Sequence, residues 1–176
     1  MGTLTTIPRD STKGVGGLCY ALLANFTDDA SLVVTVDGTT GETAFTSDVS
    51  LNSLFTKVVF TKETSNYTVT GTGTPTAGTT SYNQVLTMVF ARNEALKRNQ
   101  VKVMGNSELV AVVVDRNGDA WCLGNDGCSG LDMTSSTGQS GTGPNDLGGQ
   151  TIVLSANCKE PESVVTSVVL ATLQPA

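Results

Sequence analysis

The side chains that could do chemistry in this 176-residue chain are 16 carboxylates and four thiols, with no histidine at all. Without imidazole there is no Ser-His-Asp or Cys-His catalysis, and a metal site loses its commonest nitrogen ligand. Cys19, Cys122, Cys128 and Cys158 form no C-x-x-C pair, whereas a thiolate zinc site needs close-spaced pairs. Cys122 and Cys128 could close a small loop, but reduced core thiols are the simpler expectation. Asp115-Arg116-Asn117-Gly118-Asp119 opens like a calcium loop. Ala120 and Asp126 then stand where that loop needs Gly and Glu, so a hairpin turn at Asn117-Gly118 is expected instead. Asp126, Asp132 and Asp146 share a Gly-rich region and could gather around a cation, with solvated loop carboxylates as the plainer reading. Gly141-Thr142-Gly143-Pro144-Asn145-Asp146 starts like a dinucleotide fingerprint, yet no helix follows it. Paired carboxylates could serve an acid hydrolase, but such enzymes usually carry an aromatic-lined groove. Here Trp121 is the single tryptophan, and it is expected to pack on the core. The expectation is therefore no catalytic residue, no metal and no cofactor.

The elements around these residues follow from composition. The chain holds 27 Thr, 21 Val, 19 Gly and 15 Ser, and only 15% of its residues are charged. Thr and Val suit a pleated surface and Gly suits turns, so the class is mainly β. Ten Lys+Arg against 16 Asp+Glu give a net charge of −6, which argues against tight binding of nucleic acid by phosphate neutralisation. The longest apolar run, Leu109 to Val114, is far short of a spanning helix, and no membrane association is expected. Segment 15–24 imitates a signal peptide, but its two glycines and missing A-x-A site argue against one. A myristoylation-like start (Met1-Gly2) and two sequons at Asn25 and Asn66 are chance matches in a Thr-rich chain.

A single domain over residues 1–176 is expected, with an N-terminal arm at 1–17 and polar loops at 37–53, 71–81 and 124–150. Strands are expected at 18–26, 31–37, 55–61, 67–72, 82–91, 109–115, 120–123, 151–156 and 164–173. One helix is expected over about residues 93–104, with Asn93 as cap, Gly105 as its left-handed stop, and Ala95, Leu96, Val103 and Met104 as its apolar face. Strands 109–115 and 164–173 are apolar on both faces. A helix or second sheet can cover one face, and a neighbouring copy of the chain is a natural cover for the other. The fold class expected is an antiparallel β-sandwich or barrel with one flanking helix.

Several short pieces carry a resemblance through their order and spacing. They are Gly16-Gly17-Leu18 with Leu23-Ala24-Asn25-Phe26, Phe60 to Thr68, Tyr82 to Thr87, Lys97-Arg98-Asn99, Leu109 to Val112, and Asp115 to Gly124. In this order the chain, from about residue 14 to 170, resembles a family of virion structural proteins of phages with Bacteroidetes-type hosts. Cys122 stands where that family usually has a second aliphatic residue, and its Gly-Asp-x-Asn-Gly-Tyr is reduced to Gly143 to Gly149. The resemblance implies a tail-tube or tail-ring subunit, a sandwich with one helix whose sheets join between copies into a continuous barrel around a channel. It implies stacked homo-oligomeric rings, with six copies as one arrangement, contacting other phage tail proteins. The protein would belong to the virion tail, assembled in the host cytoplasm, with DNA passing through the lumen unbound. Alternatives are a head-to-tail connector ring, a capsid decoration protein or, more remotely, a carbohydrate-binding β-sandwich. Thr72, Thr74, Pro75, Thr76, Thr79 and Thr80 are the candidate subunit contacts, because so polar a stretch cannot bury itself and is either a flexible loop or a projecting hairpin tip ordered by a neighbour.

Overall fold

The computed structural model describes residues 14–26, 32–36, 43–47, 55–61, 63–74, 76, 78–125, 129–143, 146, 148–166, 170–171 and 173. In chain order these form β1 (Leu18–Asn25), β2 (Leu32–Val36), β3 (Thr43–Ser47), β4 (Thr56–Val59), β5 (Asn66–Thr74) and β6 (Thr79–Ala91). Then come α1 (Ala95–Met104), β7 (Leu109–Asp115), β8 (Ala120–Leu123), β9 (Asp132–Gln139), β10 (Gly149–Cys158) and β11 (Ser163–Val165). Sheet A has seven strands in the order β2-β3-β11-β8-β7-β1-β4, and sheet B has four in the order β5-β6-β10-β9. All pairs are antiparallel except β11 with β3. The protein is thus a mainly β sandwich of two open sheets with one helix, not a closed barrel.

The side-chain alternation of β7 explains why two layers are needed. Leu109, Ala111 and Val113 face sheet B, where they pack with Leu86 and Met88 of β6 and Ile152 and Leu154 of β10. Val110, Val112 and Val114 point the other way and are equally buried, in a cluster with Leu22, Phe55, Cys122, Val165 and Leu173. The second face of the strand is therefore covered by the chain itself, where a neighbouring copy was expected to cover it. In β1 the register slips between Leu18 and Tyr20, a bulge that leaves Cys19 exposed and lets Leu18 share the inner face with Ala21. Cys122 and Cys158 are buried on opposite sides of sheet A, each within an apolar cluster. Trp121 is half-buried against the inter-sheet core, as expected.

Three element assignments change, and the open choice at 71–81 is decided. The expected loop 37–53 contains β3, and the expected loop 124–150 contains β9, whose Thr/Ser-rich sequence has too few apolar residues to show alternation. The polar stretch 71–81 is the far end of a hairpin. The closing strand stops at Val165, and the Leu170 N–H donates to Thr166 O (2.9 Å), the i→i−4 bond of a helical turn. Of the arm 1–17, only 14–17 lie within the described residues.

The helix also differs in detail. Glu94, not Asn93, holds the N-cap position and its side chain makes no capping bond, while Asn93 Nδ2 donates to Gln139 O (3.0 Å). Gly105 is right-handed (φ −71), not a left-handed stop, and a Cβ there would meet only the mobile tip of Met133 (Cε, 2.6 Å) at close range. The inward stripe is Val101, buried, with Met104 half-buried, whereas Leu96 is 71% exposed and Val103 49% exposed. A ten-residue helix laid against the side of a sandwich buries one narrow stripe, and Val101 and Met104 at i and i+3 occupy it.

One buried polar side chain ties the layers. Gln84 of β6 is 2% exposed, accepts from the Gly124 N–H at the end of β8 (2.8 Å), and donates to Glu160 O (3.2 Å). Replacing it by methionine keeps the volume but strands both backbone partners. Gln84→Met is expected to lower stability by about 1–3 kcal/mol in urea unfolding, whereas Leu96→Ala should stay within about 0.5 kcal/mol.

Candidate assembly surface

The inner face of sheet B is spent on the core, which leaves the other face to be read residue by residue. The registers align Asn66, Thr87, Val153 and Ser135 in one row across β5, β6, β10 and β9, and Thr68, Val85, Ser155 and Asp132 in the next. A third row joins Thr70, Asn83 and Asn157, with Asn83 Nδ2 donating to Asn157 Oδ1 (2.9 Å). These residues are exposed or half-buried. The four strands, of 9, 13, 8 and 10 residues, contain a single Asp, Glu, Lys or Arg, namely Asp132. The outer face is therefore a pavement of Thr, Ser, Asn and Val with one carboxylate and no cation. Its flanks are open, because β5 and β9 each have one edge without a partner among the described strands.

The hairpin β5–β6 extends beyond this pavement. β10 pairs with β6 only as far as Cys158 opposite Tyr82, while β5 and β6 stay paired through Thr72–Ser81, Gly73–Thr80 and Thr74–Thr79. A two-stranded ribbon thus projects from the sheet. Thr72, Thr74, Thr79 and Thr80 lie exposed on its paired arms, Thr76 is exposed in its turn, and Pro75 lies outside the described residues. Gly78 has φ +64, the left-handed conformation this turn requires.

The turn between β7 and β8 is a three-residue loop, not the two-residue turn expected from Asn117-Gly118. Asp115 N–H donates to Asp119 O (2.9 Å), and Gly118 alone is left-handed (φ +92). Asn117 has a different task. The Asp115 carboxylate accepts from the Asn117 and Asp119 N–H groups (2.8 and 2.9 Å), while Asn117 Oδ1 accepts from the Val15 N–H (2.9 Å). Arg116 N–H donates to Gly17 O (3.2 Å), and its guanidinium lies 3.4 Å from Glu63 Oε1. The calcium-like pentapeptide is therefore a latch for residues 15–17.

The other motifs resolve similarly. Asp146 accepts from the N–H groups of Thr142 (2.9 Å) and Gly143 (2.6 Å), and these bonds hold its carboxyl below the usual range. The fingerprint-like segment is an Asp-closed loop between β9 and β10. Asp132 and Asp146 stand at opposite ends of the eight-residue β9, so they do not meet, and Asp126 lies outside the described residues. Among the described residues no three His, Cys, Asp or Glu are grouped to hold a metal ion, and no helix is long and apolar enough to cross a membrane. Sequence reasoning missed the pavement because β9 was read as loop, and because facing depends on register.

No protein-family model, curated protein or solved structure matches this chain.

Tyr67 points from β5 into the core near the latch. Burial, helped by the charges of Glu162, Asp115 and Asp119, pushes its hydroxyl up to about 12 from 10.0. The fold favours the neutral phenol, so the stability it supports is whole below pH 10 and is lost as pH rises through about 12. Absorbance titration should show a tyrosine ionising late, and Tyr67→Phe should lose less stability than the unaltered chain between those two values.

Proposed function

We propose that this protein is a non-enzymatic structural subunit of a phage tail tube, polymerising with copies of itself into stacked rings around a channel for DNA. The observation that carries this reading is the outer face of sheet B, with its Thr/Ser/Asn surface, single Asp132 and no Lys or Arg. A polyanion sliding past such a wall meets no cation to release counterions against, and a net charge of −6 adds repulsion. Short side chains also leave a smooth surface. The nine-residue edge of β5 carries neither Lys nor Pro, the usual blocks to strand addition, and is suited to joining another sheet. The ribbon at 71–81 then reaches toward the next subunit or ring, and interaction with other tail proteins belongs to the same reading.

Purified protein at high concentration is expected to form open-ended tubes in negative stain. Discrete rings or monomers alone would overturn the tube. Removing residues 72–79 brings Gly71 and Tyr82, already paired, to the ends of a two-residue loop of Thr80 and Ser81, so the sandwich should keep its melting temperature. Tube formation should be lost in that variant. Normal tubes from it would remove the ribbon from the contact.

A further inference from the structure

Of the chain's 11 asparagines, Asn117 is the one that a glycine follows. That pairing has a chemistry of its own. Glycine has no Cβ to keep its backbone nitrogen away from the side-chain carbonyl carbon of the residue before it. Here Gly118 is left-handed (φ +92) and a Cβ on it would meet nothing within 4 Å, so there is room for a ring to close. Its N–H makes a long bond to Asp115 O (3.4 Å). Asn117, Gly118 and Asp119 are all exposed. Asn117 also lines an open cavity of about 360 Å³ with Val15, Tyr67 and Asp115, which brings solvent to its amide.

The same amide holds residues 14–17, the strap beside the β7–β8 turn. Asn117 Oδ1 accepts from the Val15 N–H (2.9 Å), and Asn117 Nδ2 donates to Asp115 Oδ2 (3.0 Å). Oxygen and nitrogen are thus both engaged, and the side chain is fixed between the strap and the start of the turn. Val15 is 54% exposed, and a Cβ on Gly16 would meet nothing within 4 Å, so packing adds little to these bonds.

We propose that Asn117 is a self-modification site gated by this strap: the closed strap preserves the amide, and the open strap lets the turn convert it to aspartate or isoaspartate. In the first step the Gly118 nitrogen, its proton lost to hydroxide, attacks Asn117 Cγ. A C–N bond forms, the Cγ–Nδ2 bond breaks and ammonia leaves, which closes a cyclic imide. Water then opens the ring. Addition at Cγ restores the backbone and leaves a side-chain carboxylate, whereas addition at the backbone carbonyl carbon of Asn117 leaves isoaspartate. The sum is a water taken up and an ammonia released.

The change acts back on the strap. The Nδ2 donor that faced Asp115 Oδ2 is replaced by a carboxylate oxygen, and like charges then share a site that held a hydrogen bond. Isoaspartate also routes the backbone through the side-chain carbon, which lengthens the loop that the Asp115 N–H closes on Asp119 O (2.9 Å). Either product loosens the turn and the strap with it, so an opening becomes permanent. None of this rests on the tail-tube reading.

Peptide mass mapping of the full chain, incubated at mildly alkaline pH, tests the gate. Conversion at position 117 should be slower in the folded chain than in the same chain unfolded in urea. Val15→Pro removes the N–H that Asn117 Oδ1 accepts, and should speed conversion about fivefold, the shift in opening that one neutral hydrogen bond carries. The unaltered chain supplies a measurement that needs no variant. In urea below the unfolding transition, hydrogen exchange at the Val15 amide and conversion at position 117 should rise together. Asn117→Asp, the mimic of one product, should keep the circular dichroism spectrum and raise exchange at the Val15 and Arg116 amides several-fold. Equal conversion in the folded and unfolded chains would overturn the gate. So would a folded Val15→Pro chain that converts at the unaltered rate, or Val15 exchange that rises in urea without conversion. Unchanged exchange in Asn117→Asp would overturn the release of the strap.

Discussion

Val110, Val112 and Val114 point to one face of sheet A while Leu109, Ala111 and Val113 point to the other, so neither face of β7 can be left to water. The rest of the sandwich answers this requirement. Sheet B and the Val101–Met104 stripe of α1 close one side, and Phe55, Leu170 and Leu173 help to close the other. Sheet A is thereby the two-sided layer and sheet B the one-sided layer. Once Leu86, Met88, Ile152 and Leu154 are spent on the shared core, the opposite face of sheet B has no apolar duty and is free to be polar. Gln84 keeps the layers in register where a purely apolar contact would tolerate sliding, because its two backbone partners belong to the ends of different strands.

Much of this was legible in the sequence where residue type and position carry the same signal. The double-faced apolar run at 109–115 and the helix between Asn93 and Gly105 appear within two residues of their expected places, and the alternation at 82–91 lies inside β6, which starts three residues earlier. The failures share a physical cause. β9 is built of Thr, Ser and Gln with Met133 as its one large apolar side chain, so periodicity had almost nothing to act on. Residues after Val165 are apolar enough for a strand, yet Leu170 and Leu173 meet their cluster at helical spacing. Gly105 and Asn117 were assigned by turn chemistry, but the first is right-handed with the Met133 tip packed against it, and the Val15 N–H uses the second. Both are contacts between residues distant in sequence, which local rules do not see.

The candidate surface was half legible for the same reason. Composition alone identified 71–81 as a stretch unable to bury itself, and the ribbon is where that stretch went. The pavement was invisible because it is a product of pairing. Asn66, Thr87, Val153 and Ser135 come from four separate segments and become one row only in the observed registers. The exposed apolar side of α1 was hidden by an error in the same class. Leu96 and Val103 were read as the buried face of α1, and their exposure changes them from core residues into surface available for contact.

Charge placement then separates the surfaces by chemistry. Threonine on a sheet face satisfies the strand's preference for β-branched residues without creating an apolar patch, so it can serve solubility and sheet stability together. Lysine on the long edge of β5 would serve solubility equally well and would also block strand addition, which a monomer needs. The sequence spends its cations instead on β4 and residues 92–104, and leaves β5 without one. An edge without gatekeepers is a hazard for a solitary molecule and an asset for a subunit. On the proposed reading, the uncharged sheet face and edges are for passage and lateral joining.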